Sequence, residues 1–382
     1  MGKKALLISC FSYWYKKRIE PIRELLLSEG NDVSVLMSDF DHMEKEYVGE
    51  RYAECTYIHV PSYQSNLSVK RVRSHLAFGR SAAKIIDQTE PDLIYLQLPP
   101  NNTAKYCRQY KLDHPDTRLV VDIVDLWPES MPIGSIQKTP PALAWKKWRD
   151  DCIEAADYVF TECRLFQRKL KRIIDPSRTS VLYLFKEQSA QEKTMVQSAI
   201  REKEKARDSG TVKFAYLGTI NNIIDIEVIS RVLQSAQEQG YQGELHVIGD
   251  GESREKLRAA AERTGCKTYF YGLIFDENEK IRILGECDFA LNLMKATSEV
   301  GLTTKSIDYL SYGIPLINNI KGDTWKIVEH DGIGVNVRSG SEIDLSALKR
   351  EQGAMSKKAF RCFEKRFDRK SFVEVLRKKL PY

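Results

Sequence analysis

"VGLTTKSIDYLSYGIPLINNIKGDTW", residues 300–325, is the stretch on which the reading of the whole 382-residue chain turns. The apolar run Phe289–Met294 ahead of it reads as a strand. Thr304–Tyr312 then reads as a short amphipathic helix that stops at Gly313, before a Gly-Ile-Pro break and another buried strand. Thr303 or Thr304 suits the N-cap, because a hydroxyl there takes one of the orphan N–H groups of the first turn. The remaining N–H groups and the positive helix end suit diphosphate oxygens, and Gly301 permits close approach. Lys305 sits where the helix dipole disfavours a cation, a local conflict that points to function rather than stability. Asp308, three residues on and on the same face, suits two ribose hydroxyls. The same residues also describe a capped crossover helix with a solvated Lys–Asp pair, and the pattern alone leaves both open.

Around this stretch, short apolar runs alternate with helical patterns almost throughout. In the first half the runs are Ala5–Ile8, Val33–Met37, Tyr57–Val60, Leu93–Leu96, Leu119–Ile123, Tyr158–Thr161 and Val181–Leu184. Alternation resumes with Val212–Leu217, Leu245–Ile248, Thr268–Tyr271, Phe289–Leu293, Pro315–Ile317 and Gly334–Val337. Strand–helix repetition of this kind predicts an α/β fold with parallel sheets covered on both faces. Between the halves, "KEQSAQEKTMVQSAIREKEKARDSG" (186–210) is charged and lacks a strand, and reads as a partly helical linker. The expected organisation is a domain over 1–186, a linker over 187–210 and a second domain over 211–360. A basic helix over 361–382 is expected to cross back to the first domain. Two such Rossmann-like domains would bind ligand at strand C-terminal ends, facing a cleft.

Composition narrows the function classes. No run approaches the ~20 apolar residues of a membrane span, and the first residues read as a buried strand rather than a signal peptide. Eight cysteines are scattered without a C-x-x-C pair or a histidine cluster, which argues for reduced thiols, a cytoplasmic setting and no zinc. The net charge of +6 suits an anionic ligand or membrane surface and is too dispersed for nucleic acid.

Residues 299–334, from Glu-Val-Gly-Leu-Thr-Thr-Lys-Ser-Ile-Asp to Val-Glu-His-Asp-Gly-Ile-Gly, resemble the donor-site signature of the retaining family 4 glycosyltransferases, which have the GT-B fold. Phe214-Ala-Tyr-Leu-Gly218, His246-Val-Ile-Gly-Asp-Gly-Glu252 and Phe270-Tyr-Gly-Leu273 follow the family's order. Asp122-Ile-Val-Asp-Leu-Trp-Pro-Glu-Ser130 is similar to a strand-end motif of the polysaccharide-assembling members. The resemblance implies a hexosyltransferase-type enzyme that moves a sugar from a UDP- or GDP-linked donor, with no cofactor and no obligate metal. It implies a donor site built from Gly301, Leu302, Thr303, Thr304, Lys305 and Asp308, with Lys305 stabilising the leaving diphosphate. Glu299 falls one residue off the family's paired-carboxylate spacing and is retained as a catalytic candidate. The family's Arg and Lys after the first strand of the second domain are replaced by Gly218-Thr-Ile-Asn-Asn-Ile-Ile-Asp225, so Lys295 is the candidate for part of that charge. Gly218, with Thr219 and Asn222 after it, suits backbone approach to a diphosphate. Gly249, in Gly-Asp-Gly, is either a phosphate loop or a tight turn.

On the acceptor side, Asp125 at a strand end is either a sugar contact or a cap for the turn ahead of Pro128, and Glu129 is the second candidate. Tyr13, Lys16, Lys17 and Arg18 follow the first strand in place of the family's Gly-rich loop. Arg71 and Arg73 lie in "SVKRVRSHLAFGRSAAKII" (68–86), which reads as a basic helix. Both segments are expected to meet a lipid-linked saccharide or an anionic membrane surface, or to be ordinary solvated charge. The expected activity is thus transfer to a lipid-diphosphate-linked saccharide in polysaccharide (capsule or exopolysaccharide) biosynthesis, at the inner face of the membrane. The alternatives are a nucleotide-sugar epimerase and a non-catalytic GT-B subunit that binds a partner enzyme or glycan.

Overall fold

Apolar runs with few charges, separated by amphipathic stretches, fold here into two separate parallel sheets. The computed structural model describes residues 2–131, 133–205, 210–296, 300–338 and 342–380. The chain divides into two units, one up to Leu184 plus the segment from Phe372, the other Phe185–Ser371.

Among the described residues the first unit has strands β1 (Lys4–Ile8), β2 (Asp32–Ser38), β3 (Cys55–Ile58), β4 (Leu93–Leu98), β5 (Arg118–Ile123), β6 (Tyr158–Thr161) and β7 (Thr179–Val181). Its helices are α1 (Glu20–Ser28), α2 (Val69–Thr89), α3 (Ala104–Asp113), α4 (Pro140–Ala155) and α5 (Arg164–Lys169). The strand order is β3-β2-β1-β4-β5-β6-β7, all parallel. Every residue of β4 is buried, as expected for a central strand covered on both faces.

The second unit has strands β8 (Thr211–Leu217), β9 (Gln242–Ile248), β10 (Lys267–Phe270), β11 (Phe289–Asn292), β12 (Leu316–Asn318) and β13 (Gly334–Asn336). They are ordered β10-β9-β8-β11-β12-β13, again all parallel. Helices α6 (Ala190–Lys205), α7 (Ile226–Glu238), α8 (Arg254–Glu262), α9 (Glu277–Leu284), α10 (Thr304–Ser311), α11 (Asp323–Asp331) and α12 (Leu345–Arg366) surround them. In each sheet the strand order reverses once, between β1 and β4 and between β8 and β11. Loops on either side of such a reversal splay apart and leave a crevice.

Helix α6 occupies the charged stretch expected to link the domains, and it buries Val196 and Ile200 within the second unit. Its charge hid a narrow apolar stripe. The C-terminal segment is two helices rather than one: α12 ends at the cap Phe367, and α13 (Arg369–Lys379) buries Phe372 and Leu376.

Arg18 is a correction. It lies in a π-helical turn over Tyr15–Ile19, is fully buried, and donates from Nε and Nη2 to the two Asp122 carboxylate oxygens at 2.6 Å each. Burial disfavours its charge, but Asp122 outweighs that and holds its pKa above the usual arginine range. This is a structural ion pair, and Arg18 is not available to a headgroup. Among the described residues no helix is long and apolar enough to cross a membrane.

Candidate functional site

The strand-order reversal of the second unit is flanked by the segment after β8 and by the residues that precede α10. Thr303, not Thr304, caps the helix: its hydroxyl accepts from Ser306 N at 3.0 Å and lies 2.8 Å from Ser306 Oγ. One orphan N–H is thereby satisfied, and helix geometry leaves the N–H groups of Thr304 and Lys305 open. Leu302 is buried, and the Gly301 carbonyl accepts from both Thr324 N and Thr324 Oγ1 at 2.9 Å, so the loop is tied down behind the cap.

Sequence gives Ser306 no reason to be buried, and three asparagines supply it. Asn292, Asn318 and Asn336 end β11, β12 and β13 at matching register. Asn292 Nδ2 donates to Ser306 Oγ at 3.1 Å and to Asn318 Oδ1 at 2.8 Å, and Asn318 Nδ2 donates to Asn336 Oδ1 at 2.7 Å. Asn318, wholly buried, also exchanges hydrogen bonds with the backbone of Ile320, so all four of its amide valences are filled. On its other face α10 is held by the Tyr309 hydroxyl, which accepts from Leu217 N at 2.8 Å.

Lys305 folds back beneath the β8 loop. Its Nζ donates to Tyr216 Oη at 2.8 Å and to the Thr219 carbonyl at 3.3 Å, and sits 4.5 Å from the centre of the Tyr216 ring. None of the described carboxylates is within ion-pair distance of it, and burial pushes its ammonium pKa down to about 8. Gly218 makes this possible. Its φ is +104°, and a Cβ there would stand 2.8 Å from Lys305 Cε. A Cβ on Gly249, whose φ is +147°, would stand 2.0 Å from the Gly218 carbonyl oxygen, so these loops pack backbone against backbone.

Asp308 does not stand free. Lys186 Nζ donates to Asp308 Oδ1 at 2.8 Å, Glu277 Oε2 at 2.7 Å and the Tyr312 hydroxyl at 2.9 Å. Burial disfavours the Lys186 charge, yet Asp308 and Glu277 outweigh it and raise its pKa. Burial also opposes ionisation of Glu277, but Lys186 carries its pKa down to about 2. Sequence reasoning passed over Lys186 as the start of a linker. Thr219, Asn222 and Lys295 are exposed at the rim, Asn222 without a protein hydrogen bond, while the Lys295 N–H donates to the Ile223 carbonyl at 2.9 Å. Glu299 lies outside the described residues. Among those residues, no group of three or more His, Cys, Asp or Glu is placed to hold a metal ion.

In the first unit, the Asp125 carboxylate accepts from Leu126 N, Trp127 Nε1 and Ser130 Oγ. It caps a turn, the second of the two readings the sequence leaves open for it. Glu129 instead forms an ion pair with buried Arg149 at 2.7 Å. Tyr13, Lys16, Lys17 and Arg73 are exposed, Lys17 over the Tyr13 ring at 3.6 Å and Lys16 paired with Glu20. Arg71 departs from the expected surface position: it is only 6% exposed.

No protein-family model and no curated protein sequence matches the chain. Solved structures do. A sucrose-phosphate synthase from Thermosynechococcus elongatus superposes with a TM-score of 0.67 over 98% of each chain at 13% identity. The lipopolysaccharide outer core galactosyltransferase WaaB gives 0.64 over 99% of each chain at 15% identity. Anabaena HepE in complex with UDP gives 0.61 over 99% of each chain at 12% identity. The fold is GT-B. In GT-B terms the Lys305 crevice lies in the second of the two Rossmann-like units, at its strand-order reversal.

Proposed function

We propose that this chain is a retaining glycosyltransferase whose second unit holds a nucleotide-diphosphate sugar. The observation that carries the proposal is Lys305, an uncompensated ammonium at the mouth of a capped helix in the crevice where the strand order reverses. A half-buried cation beside open N–H groups is short of negative charge, and a diphosphate supplies it. UDP, bound by HepE in the structure similar to this one, is the first nucleotide to test. The oxygen of Asp308 that Lys186 leaves open is the candidate partner for the ribose.

In the proposed reaction the acceptor hydroxyl attacks the anomeric carbon from the face the diphosphate leaves. The new C–O bond forms as the bond to phosphate breaks, and the departing phosphate oxygen takes the acceptor proton. Lys305 and the first turn of α10 stabilise the charge that develops on that phosphate, work otherwise done by a metal, so no obligate metal is proposed. The proposed acceptor is a lipid-diphosphate-linked saccharide for a polysaccharide, met at the cytoplasmic face of a membrane. The exposed Leu67, Val69 and Val72, among the exposed cations Lys70 and Arg73, support such a surface.

The test is nucleotide release from a panel of UDP- and GDP-sugars, with and without lipid acceptor. Release that depends on acceptor supports the proposal. Tight nucleotide binding with no release on any acceptor would favour the non-catalytic subunit, a reading favoured by the cation-free loop after Gly218.

A further inference from the structure

Three arginines are buried in the first unit, and one of them lacks a carboxylate. Arg18 is matched by Asp122, and Arg149 by Glu129 and Asp150. Arg71, 6% exposed, has none of the described carboxylates within ion-pair distance. Its Nη1 donates to the Asn66 carbonyl at 2.8 Å, its Nη2 lies 3.5 Å from His42 Nε2, and its Nε has no partner. The guanidinium stacks over Trp127 with its carbon 4.5 Å from the ring centre. An unpaired buried charge is strongly unfavourable unless something outside the chain completes it.

A second cation converges on the same place. Lys45 Nζ donates to Asn66 Oδ1 at 2.6 Å and to the His42 carbonyl, lies 3.3 Å from His42 Nδ1 and 5.3 Å from the Tyr63 ring centre, and has none of the described carboxylates within ion-pair distance. Its backbone is left-handed at φ +64°, a conformation that a non-glycine residue holds only when its surroundings impose it. Burial first, then the charges of Arg71 and Lys45, hold His42 at about 4, so it faces both cations as a neutral ring. The carboxylates whose fields reach these cations, Asp41 and Asp125, are occupied by backbone, hydroxyl and indole donors. Two like charges are thus held near one another, Lys45 in the segment after β2 and Arg71 in the first turn of α2, with Tyr63 from the segment after β3 and Trp127 from that after β5 beside them.

We propose that the first unit carries an anion site of its own, in which Arg71 and Lys45 bind a phosphate or carboxylate group attached to a saccharide. That the saccharide is an acceptor rests on the glycosyltransferase proposal; the anion site does not.

The experiment is calorimetric titration of the full chain, without nucleotide sugar, with glucose 1-phosphate, with glucose, and with phosphatidylcholine vesicles carrying a polyprenyl-diphosphate sugar. Glucose 1-phosphate should bind the wild type, and at least tenfold more weakly Arg71→Met and Lys45→Met; glucose should not distinguish them. Arg71→Met should melt no lower than the wild type, since it removes an unpaired charge. If it fails to fold, Lys45→Met carries the test. Arg71-dependent binding of the soluble sugar phosphate or of the vesicles supports the site and says which carrier it prefers. Equal affinities in the wild type and both variants, or a loss confined to Lys305→Met, would overturn it. A chain that binds the anion at Arg71 yet releases no nucleotide would overturn the glycosyltransferase proposal alone.

Discussion

Replacing Lys305 by Met should make the protein more stable and the enzyme far worse. The folded-state fall of its pKa from 10.5 to about 8 corresponds to roughly 3 kcal/mol of unfavourable charge burial. Solvent at the loop screens part of that, which leaves on the order of 1–3 kcal/mol. A methionine keeps the stem against Tyr216 and removes the charge, so melting should rise by roughly 2–12 °C, at about 2–4 °C per kcal/mol for a unit of this size. The sign with pH follows from the depressed pKa. Between about pH 8 and 10.5 the unfolded chain binds the extra proton, so wild-type stability rises with pH across that window. The variant has no such dependence, and its advantage should be full at pH 7 and nearly gone at pH 10. On the proposed role of Lys305, turnover should fall on the order of a hundredfold, since that role loses its charged donor to the leaving phosphate. Differential scanning calorimetry from pH 7 to 10 and steady-state nucleotide release measure the two effects. A lower melting temperature at pH 7, or near-normal turnover, would refute the reasoning.

Gly218→Ala should lower stability by about 1–2 kcal/mol and displace Lys305, since it adds a Cβ 2.8 Å from Lys305 Cε at a φ of +104°; denaturant titration and nucleotide affinity should fall together. Asp122→Ala should lower stability by about 3–5 kcal/mol by stranding the Arg18 charge, whereas the double change with Arg18→Met should recover much of it in a double-mutant cycle. Turnover should survive chelation, and loss restored by Mn²⁺ would contradict the role given to Lys305. Flotation with anionic vesicles should weaken as salt rises, each surface cation contributing about 1 kcal/mol at most; no flotation at low salt would remove the membrane proposal.

The alternation of apolar runs carried the α/β architecture, because a strand buried on both faces needs a continuous apolar segment and little else. The capped helix at Thr303 was equally legible, since N-cap chemistry is local. What escaped was compensation at a distance. Arg18, Lys45 and Arg71 look alike in a sequence, and only folding decides that one meets Asp122 while the other two meet no carboxylate. Asp125 looked chemical because it ends a strand, yet its oxygens are consumed within five residues by the turn it starts. Lys186 is far in sequence from Asp308 and Glu277, and no local pattern joins them. The asparagines left a faint mark: a polar residue closing three otherwise apolar runs at equal depth.

Those three amides have a direction. Each passes its N–H to the next carbonyl, from Asn292 through Asn318 to Asn336, and turning any one of them over would set donor against donor or oxygen against oxygen along the row. The mouth of α10 is therefore latched to the sheet by a row with one allowed sense, and it behaves as a fixed anvil rather than a hinge. A drifting lineage, likewise, could not exchange one rung at a time without passing through a chain whose latch is broken.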